Sequence, residues 1–242
     1  MKEIINTESL CKNYGSTKAL VNVSFALKPG IWGIIGPNGA GKTTLLNLLW
    51  NIIRPSSGRL NVLGQDPSTE NLKLKQKIGV CFTSQRFPSG YVSKEYLRTV
   101  SEAYGISATR INPLIQYLLL KLEAELILER EIRYLSSGMK QKLAIVQCLM
   151  GLPEIAIMDE PFANLDPLAK VRLKDIVVEY HNILGTSFLV SSHSLEDLGG
   201  FCTGYLFIHH GRLLWKGTPD EVPEKDLVRF YIELITKNRD YP

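Results

Sequence analysis

The run Gly36-Pro37-Asn38-Gly39-Ala40-Gly41-Lys42-Thr43, continued by Thr44, fits the pattern G-x-x-x-x-G-K-[ST], whose residue types suit the gripping of a chain of phosphates. Glycines let successive backbone N–H groups converge on one anion without Cβ interference, at the positive end of a helix. Lys42 would reach the β- and γ-phosphates as a point charge, and the Thr43 hydroxyl would ligate magnesium. A glycine-rich turn with an accidental Gly-Lys-Thr is the bland explanation, but average residue usage yields such a match in only about one chain in a hundred of this length. A phosphate loop also needs an acidic element to hold the metal. Ile155-Ala156-Ile157-Met158-Asp159-Glu160 supplies it as an apolar strand ending in two carboxylates. Asp159 would complete the magnesium shell. Glu160, one residue further, would face the γ-phosphate and polarise the attacking water.

These groups act only if the chain brings them together, and the surrounding pattern is that of an α/β fold. Ile31-Trp32-Gly33-Ile34-Ile35 reads as a buried strand feeding the loop, and Leu45, Leu46, Leu48 and Leu49 give the following helix an apolar face. Before them, Leu20 to Leu27 and the turn Lys28-Pro29-Gly30 predict a strand-rich N-terminal edge. Arg59 to Gly64 and Ile78 to Phe82 are further strand candidates. From Val92 to about Leu128 the periodicity becomes helical, with one proline, Pro113, which predicts a helical insertion into the α/β core. Strand character returns at Ile155 to Met158, Ser187 to Val190 and Tyr205 to Ile208, with a helix between the first two. That alternation predicts a largely parallel sheet. Leu227 to Ile235 reads as a short terminal helix.

Composition narrows the function classes. At 242 residues and 45% hydrophobic, the chain can bury one substantial core. Its apolar runs fall well short of the ~20 residues that span a bilayer. The start, Met1 to Asn6, lacks the apolar region of a secretory signal, so a cytoplasmic location is expected. A net charge of +4, without a long Lys/Arg block, offers no case for nucleic acid. Cys11, Cys81, Cys148 and Cys202 form no C-x-x-C pair and are expected to be buried or inert thiols. His209-His210 lacks nearby carboxylates or cysteines to complete a metal ligand set. Ser191, His193 and Asp197 invite a hydrolase-triad reading, which no nucleophile elbow supports.

A second string makes the pattern specific. Leu135-Ser136-Ser137-Gly138-Met139-Lys140-Gln141 opens a helix, where Ser136 and the Gly138 amide would present donors at a positive helix end. Alone it would be a helix cap. Placed before Asp159-Glu160, it resembles the Leu-Ser-Gly-Gly-Gln signature of the ATP-binding cassette (ABC) proteins, in the variant Leu-Ser-x-Gly-Met-Lys-Gln. In that family the signature binds the γ-phosphate of the ATP held by the opposite subunit, which implies Ser136, Ser137 and Gly138 as nucleotide contacts in a dimer. The other family elements match in order. Tyr14 resembles the aromatic that stacks on adenine. Gln85 resembles the Q-loop glutamine, which contacts magnesium and the water and joins the core to a helical lobe. Asn164-Leu165-Asp166-Pro167 resembles the D-loop that crosses the subunit interface, with Asp166 among the nucleotide-contacting residues. His193 resembles the switch histidine that bonds the γ-phosphate. Two residues depart from the signature: Ser137 replaces a glycine, adding a Cβ where the other subunit's nucleotide approaches, and Met139 replaces a glutamine.

The resemblance implies a P-loop NTPase core with a mainly parallel sheet, an N-terminal antiparallel β edge and a helical subdomain between Q-loop and signature. It implies one ABC-type ATPase domain over residues 1–242, with the subdomain at about 86–145 and a helical tail at about 219–242. The cofactors implied are ATP and Mg2+. The partners implied are a second ATPase subunit, in a homodimer or heterodimer, and a separate membrane permease, with the chain on the inner face of the membrane. The signature variant and the Pro-Ser-Ser-Gly stretch look most like subunits of ABC-2 type exporters. Arg86-Phe87-Pro88-Ser89-Gly90-Tyr91, just past Gln85, is the expected permease contact. The alternative is a non-transport ABC ATPase coupled to a membrane protein. A DNA-acting ABC ATPase would carry a coiled-coil insertion or zinc cysteines, a translation-type protein two cassettes, and a GTPase an Asn-Lys-x-Asp motif, none of which occurs.

Overall fold

A computed structural model describes residues 2–69, 71–83, 85–223 and 226–237. Residues 224–225 and 238–242 of the expected C-terminal tail lie outside the described residues. The apolar runs form β1 (Ile5–Tyr14), β2 (Thr17–Leu27) and β3 (Ile31–Ile35), and the glycine loop leads into α1 (Lys42–Leu49). Then come β4 (Ser57–Val62), α2 (Leu72–Gln76) and β5 (Ile78–Cys81). The helical stretch is α3 (Ser93–Ala103), α4 (Ala108–Lys121), which carries Pro113 in its second turn, and α5 (Ser137–Leu149). After it lie β6 (Ile155–Met158), α6 (Pro167–Leu184), β7 (Ser187–Ser192), α7 (Leu195–Leu198), β8 (Gly204–His209), β9 (Arg212–Gly217) and α8 (Leu227–Lys237).

Two sheets result. A six-stranded sheet has the order β5-β6-β7-β3-β8-β9, parallel except for the antiparallel pairing of β9 with β8. The antiparallel N-terminal strands, joined by β4, form a three-stranded sheet of their own, β2-β1-β4. Side chains of the main sheet alternate between two cores with the strand period of two. Ile31 and Ile35 of β3, Met158 of β6 and Phe188 of β7 face the cluster built by α4, α5 and α6. Trp32 and Ile34, Ile157 and Leu189 face the opposite cluster, which β1, β2, β4 and α1 supply. Coverage of both faces is why β3 reads as an unbroken apolar run.

Parallel register aligns the strand ends that matter. Cys81 pairs with Met158, Met158 with Val190, and Ile35 with Ser192. The segments that follow β5, β6, β7 and β3 therefore leave the sheet side by side at its carboxyl edge, where open α/β sheets take their ligands. Helix α5 approaches β5 closely because Gly79 has no side chain: a Cβ there would stand 2.1 Å from the Cys148 carbonyl oxygen. That carbonyl is backbone within α5, so it does not yield cheaply. Gly79→Ala is expected to cost about 2 kcal/mol through this overlap. In a chain of this size that is a fall of roughly 4–8 °C in thermal midpoint. An unchanged midpoint would mean that α5 can back away from β5 at no cost.

Candidate nucleotide site

The loop after β3 holds its shape through glycine conformations and close backbone contacts. Gly39 and Gly41 have φ of +79° and +106°, in the left-handed region that glycine enters without a Cβ penalty. A Cβ on Gly36 would meet the Ile208 carbonyl oxygen at 2.3 Å, and one on Gly41 the Ala19 carbonyl oxygen at 2.6 Å. Gly41 is the N-cap of α1 and no side chain caps that end, so the first-turn N–H groups stay available to an anion. Lys42 is 6% exposed. Its Nζ donates to the Gly36 carbonyl at 2.7 Å and the Pro37 carbonyl at 3.3 Å, and lies 3.4 Å from Glu160 Oε1.

The acidic pair lies beside this loop. Asp159, 3% exposed, directly follows β6 and has both carboxylate oxygens engaged. Thr43 Oγ1 donates to its Oδ2 at 2.9 Å, and Ser191 Oγ to its Oδ1 at 2.6 Å. Glu160 adopts φ +48°, a left-handed conformation uncommon outside glycine. Its backbone N–H donates to Ser191 Oγ at 2.9 Å, and its Oε2 meets His193 Nδ1 at 2.8 Å. Ser191 thus serves the Asp159 carboxylate and the Glu160 backbone N–H from one position on β7. The triad reading is closed by the same contacts, because Asp197 pairs instead with Lys170 at 2.8 Å.

Gln85 completes the wall. Its Nε2 donates to Gln147 Oε1 at 2.5 Å, while its own Oε1 is buried with no partner. Pro37 to Thr44, Gln85, Gln147, Asp159 and Glu160 together line one open cleft of about 900 Å³. Gly36 contributes through its carbonyl to Lys42, and His193 through Glu160. A separate groove of about 810 Å³ over β4 mixes Lys2, Arg54 and Arg59 with Glu3, Glu8 and Asp66 and holds none of these groups.

The other expected residues stand outside the cleft lining. Tyr14, at the end of β1, is 48% exposed, with Lys12 Nζ 5.2 Å from its ring centroid. Ser136 and Ser137 are exposed and Gly138 half-buried. Ser136 caps α5 by accepting from the Met139 N–H at 3.2 Å. Asp166 caps α6 by accepting from the Ala169 N–H at 2.9 Å, a bond that holds its carboxyl below the usual range. Of the buried cysteines, Cys81 is pushed up to about 12 by burial and then by the Asp159 charge, and Cys148 and Cys202 are raised mainly by burial, which makes all three inert as nucleophiles.

The family model of ABC transporters matches residues 20–163, more than half of the chain. The chain belongs to the ABC transporter family. An uncharacterized ABC transporter ATP-binding protein of Bacillus subtilis is 30% identical over 240 residues, 99% of this chain and 76% of that protein. The Nod factor export ATP-binding protein I of Burkholderia orbicola is 28% identical over 235 residues, 95% of this chain and 76% of that protein. A solved structure of an ATP-binding subunit of an ABC transporter has a TM-score of 0.86 at 27% identity, covering 96% of this chain and 99% of that one. This chain is accordingly an ABC ATP-binding subunit with the fold of an ABC ATPase cassette.

Sequence reading missed two polar residues of the cassette's cleft. Ser191 was visible only as a triad candidate, and Gln147 lay unmarked within an apolar helix. Ser191→Ala removes a donor to Asp159 and an acceptor for the Glu160 N–H, leaving both buried groups short. A loss of about 1–3 kcal/mol in denaturant unfolding is expected. Unchanged stability would mean that water replaces the hydroxyl.

Proposed function

We propose that this cassette binds ATP-Mg in the 900 Å³ cleft and hydrolyses it to drive movement of a substrate through a separate membrane permease. The observation that carries the reading is the contact of Glu160 with both Lys42 and His193, beside a buried Asp159 bonded to Thr43. The loop amides of Gly36 to Thr44 and the Lys42 ammonium would bind the phosphates. Thr43 Oγ1, Asp159 and the unpartnered Gln85 Oε1 are hard oxygen donors of the kind Mg2+ takes, and they would hold it. Bound there, the ion neutralises charge on the phosphate oxygens. Glu160 would orient and deprotonate the attacking water, and His193, held by Glu160, would donate to the γ-phosphate.

Ser136, Ser137 and Gly138 lie outside the lining of this cleft, so their nucleotide contact requires a second cassette, paired head to tail with this one. Tyr14 would stack on adenine from the rim, and Asp166 would meet the nucleotide across that interface. Among the described residues no helix is long and apolar enough to cross a membrane, and the substrate path proposed lies in the separate permease. The exposed turn from Arg86 to Tyr91 directly follows Gln85 and is where the permease would bear. Export is the favoured direction, supported by the likeness to the Nod factor export protein. The chain would then work at the inner face of the membrane, and the expected division is a helical subdomain at about 86–145 within one ATPase domain.

Glu160→Gln is expected to keep ATP binding, lower kcat by at least about 100-fold and accumulate a nucleotide-bound dimer on size exclusion. Rapid turnover in that variant would sink the role given to Glu160. Lys42→Ala is expected to weaken ATP binding by about 10-fold or more, since a buried charge facing the phosphates is lost. Equal affinity would count against phosphate binding at this loop. ATP-driven flux after reconstitution with the co-purifying membrane protein tests transport itself, and ATP-dependent activity without flux would favour the non-transport alternative.

A further inference from the structure

Gln147 lies near the end of α5, the helix that opens at the signature, and it faces the cleft. Its single Oε1 accepts two hydrogen bonds, from Gln85 Nε2 at 2.5 Å and from the Tyr96 hydroxyl at 2.6 Å. An amide oxygen has two lone pairs, so this acceptor is filled. Tyr96 on α3 is itself held, with Phe87 edge-on to its ring at 5.4 Å. Three segments distant in sequence therefore meet on one atom: the turn after β5, α3 and α5.

An amide presents a donor on one side and an acceptor on the other. Since Gln147 offers Gln85 an acceptor, Gln85 must turn its NH2 that way and its Oε1 the other way. That Oε1 is the buried, unpartnered atom. A buried acceptor left without a partner is costly, and a cation or its bound water would satisfy it. We propose that Gln147 is a positioning residue that sets the amide orientation of Gln85, so that Gln85 presents oxygen rather than nitrogen to the Mg2+ of bound ATP. This rests on the metal role given to Gln85 above. Tyr96 holds Gln147 in turn, and Gln147 would act through Gln85 and not on the metal or nucleotide itself.

The test measures ATP affinity with and without Mg2+ by equilibrium binding, in a Glu160→Gln background where turnover does not interfere, alongside thermal midpoints. Gln85→Ala, Gln147→Met and the double variant form a cycle, because a shared mechanism makes the effects non-additive. Gln147→Met is expected to reduce the Mg2+-dependent gain in affinity by about 10-fold, the scale of losing a residue that orients a metal ligand. The double variant is expected to be no worse than Gln85→Ala alone. Gln147→Glu still offers an acceptor to both donors and is expected to retain the gain, whereas Gln147→Lys, which only donates, loses it. If Gln147→Met lowers the midpoint but keeps the gain, or if its effect simply adds to that of Gln85→Ala, the positioning role is overturned while the reading of Gln85 stands. If Gln85→Ala itself keeps the full gain, the metal role of Gln85 falls and the proposal falls with it.

Discussion

The buried carboxylate of Asp159 is the constraint on which the cleft depends. A carboxylate only 3% exposed is tolerable where donors reach both oxygens, and here the donors come from opposite sides. Thr43 reaches it from the first turn of α1, and Ser191 from the end of β7. The two bonds set the height of the phosphate loop against β6 and β7. Strand pairing supplies what they do not, because Met158 is in register with both Cys81 and Val190. Ser191 then carries the constraint one residue further by accepting the Glu160 N–H, which helps hold that residue at φ +48°. Strain at a single backbone position of this kind costs of order 1–3 kcal/mol and persists where surrounding contacts over-determine it. In return the Glu160 side chain is aimed between Lys42 and His193 instead of along the strand.

What could be read in advance was whatever is written as consecutive residues. The glycine loop is legible because its chemistry is local: the backbone that bends and the side chains that bind are one string. The acidic pair is legible because an apolar strand ending in two carboxylates has few other uses beside such a loop. The parallel sheet followed from the alternation of strand candidates such as Ile155 to Met158 and Ser187 to Val190 with a helix between them. Ser191 and Gln147 were opaque for the opposite reason. Gln147 is one polar residue in an apolar stretch and Ser191 one of several serines around a strand end, and their partners lie 62 and 32 positions away. Nothing at Ser191 or Gln147 distinguishes a hydroxyl or amide bound to a buried carboxylate or glutamine from one bound to its own helix or strand. Likewise the run Leu20 to Leu27 predicts a strand-rich edge, while the grouping of β1 and β2 with β4 into a separate sheet is decided by pairings across the intervening β3 and α1.

Helix α5 explains how the signature can lie outside the cleft and still be tied to it. The helix has 13 residues, about 20 Å at the α-helical rise. At its exposed end, Gly138 lies so close to the Asn164 carbonyl oxygen that a Cβ would stand 2.8 Å away, so this glycine answers to the same chain's Asn164-Leu165-Asp166 segment. One turn on, the buried Gln141 donates to the carbonyl of Pro161, the residue after Glu160, at 3.1 Å. At the far end Gln147 holds Gln85, and Cys148 presses on Gly79. A helix pinned at four points against close-packed neighbours moves as a unit or hardly at all. In the head-to-tail pairing proposed, the partner's ATP would meet the first turn of this helix. Any displacement there would reach the Glu160 segment and Gln85 through contacts already made, with no need for a separate relay. The arrangement also bears on Ser137, which is exposed in the first turn of α5. Its side chain is not one of the four contacts that pin the helix, so a serine there bears on what the helix end offers to a second molecule.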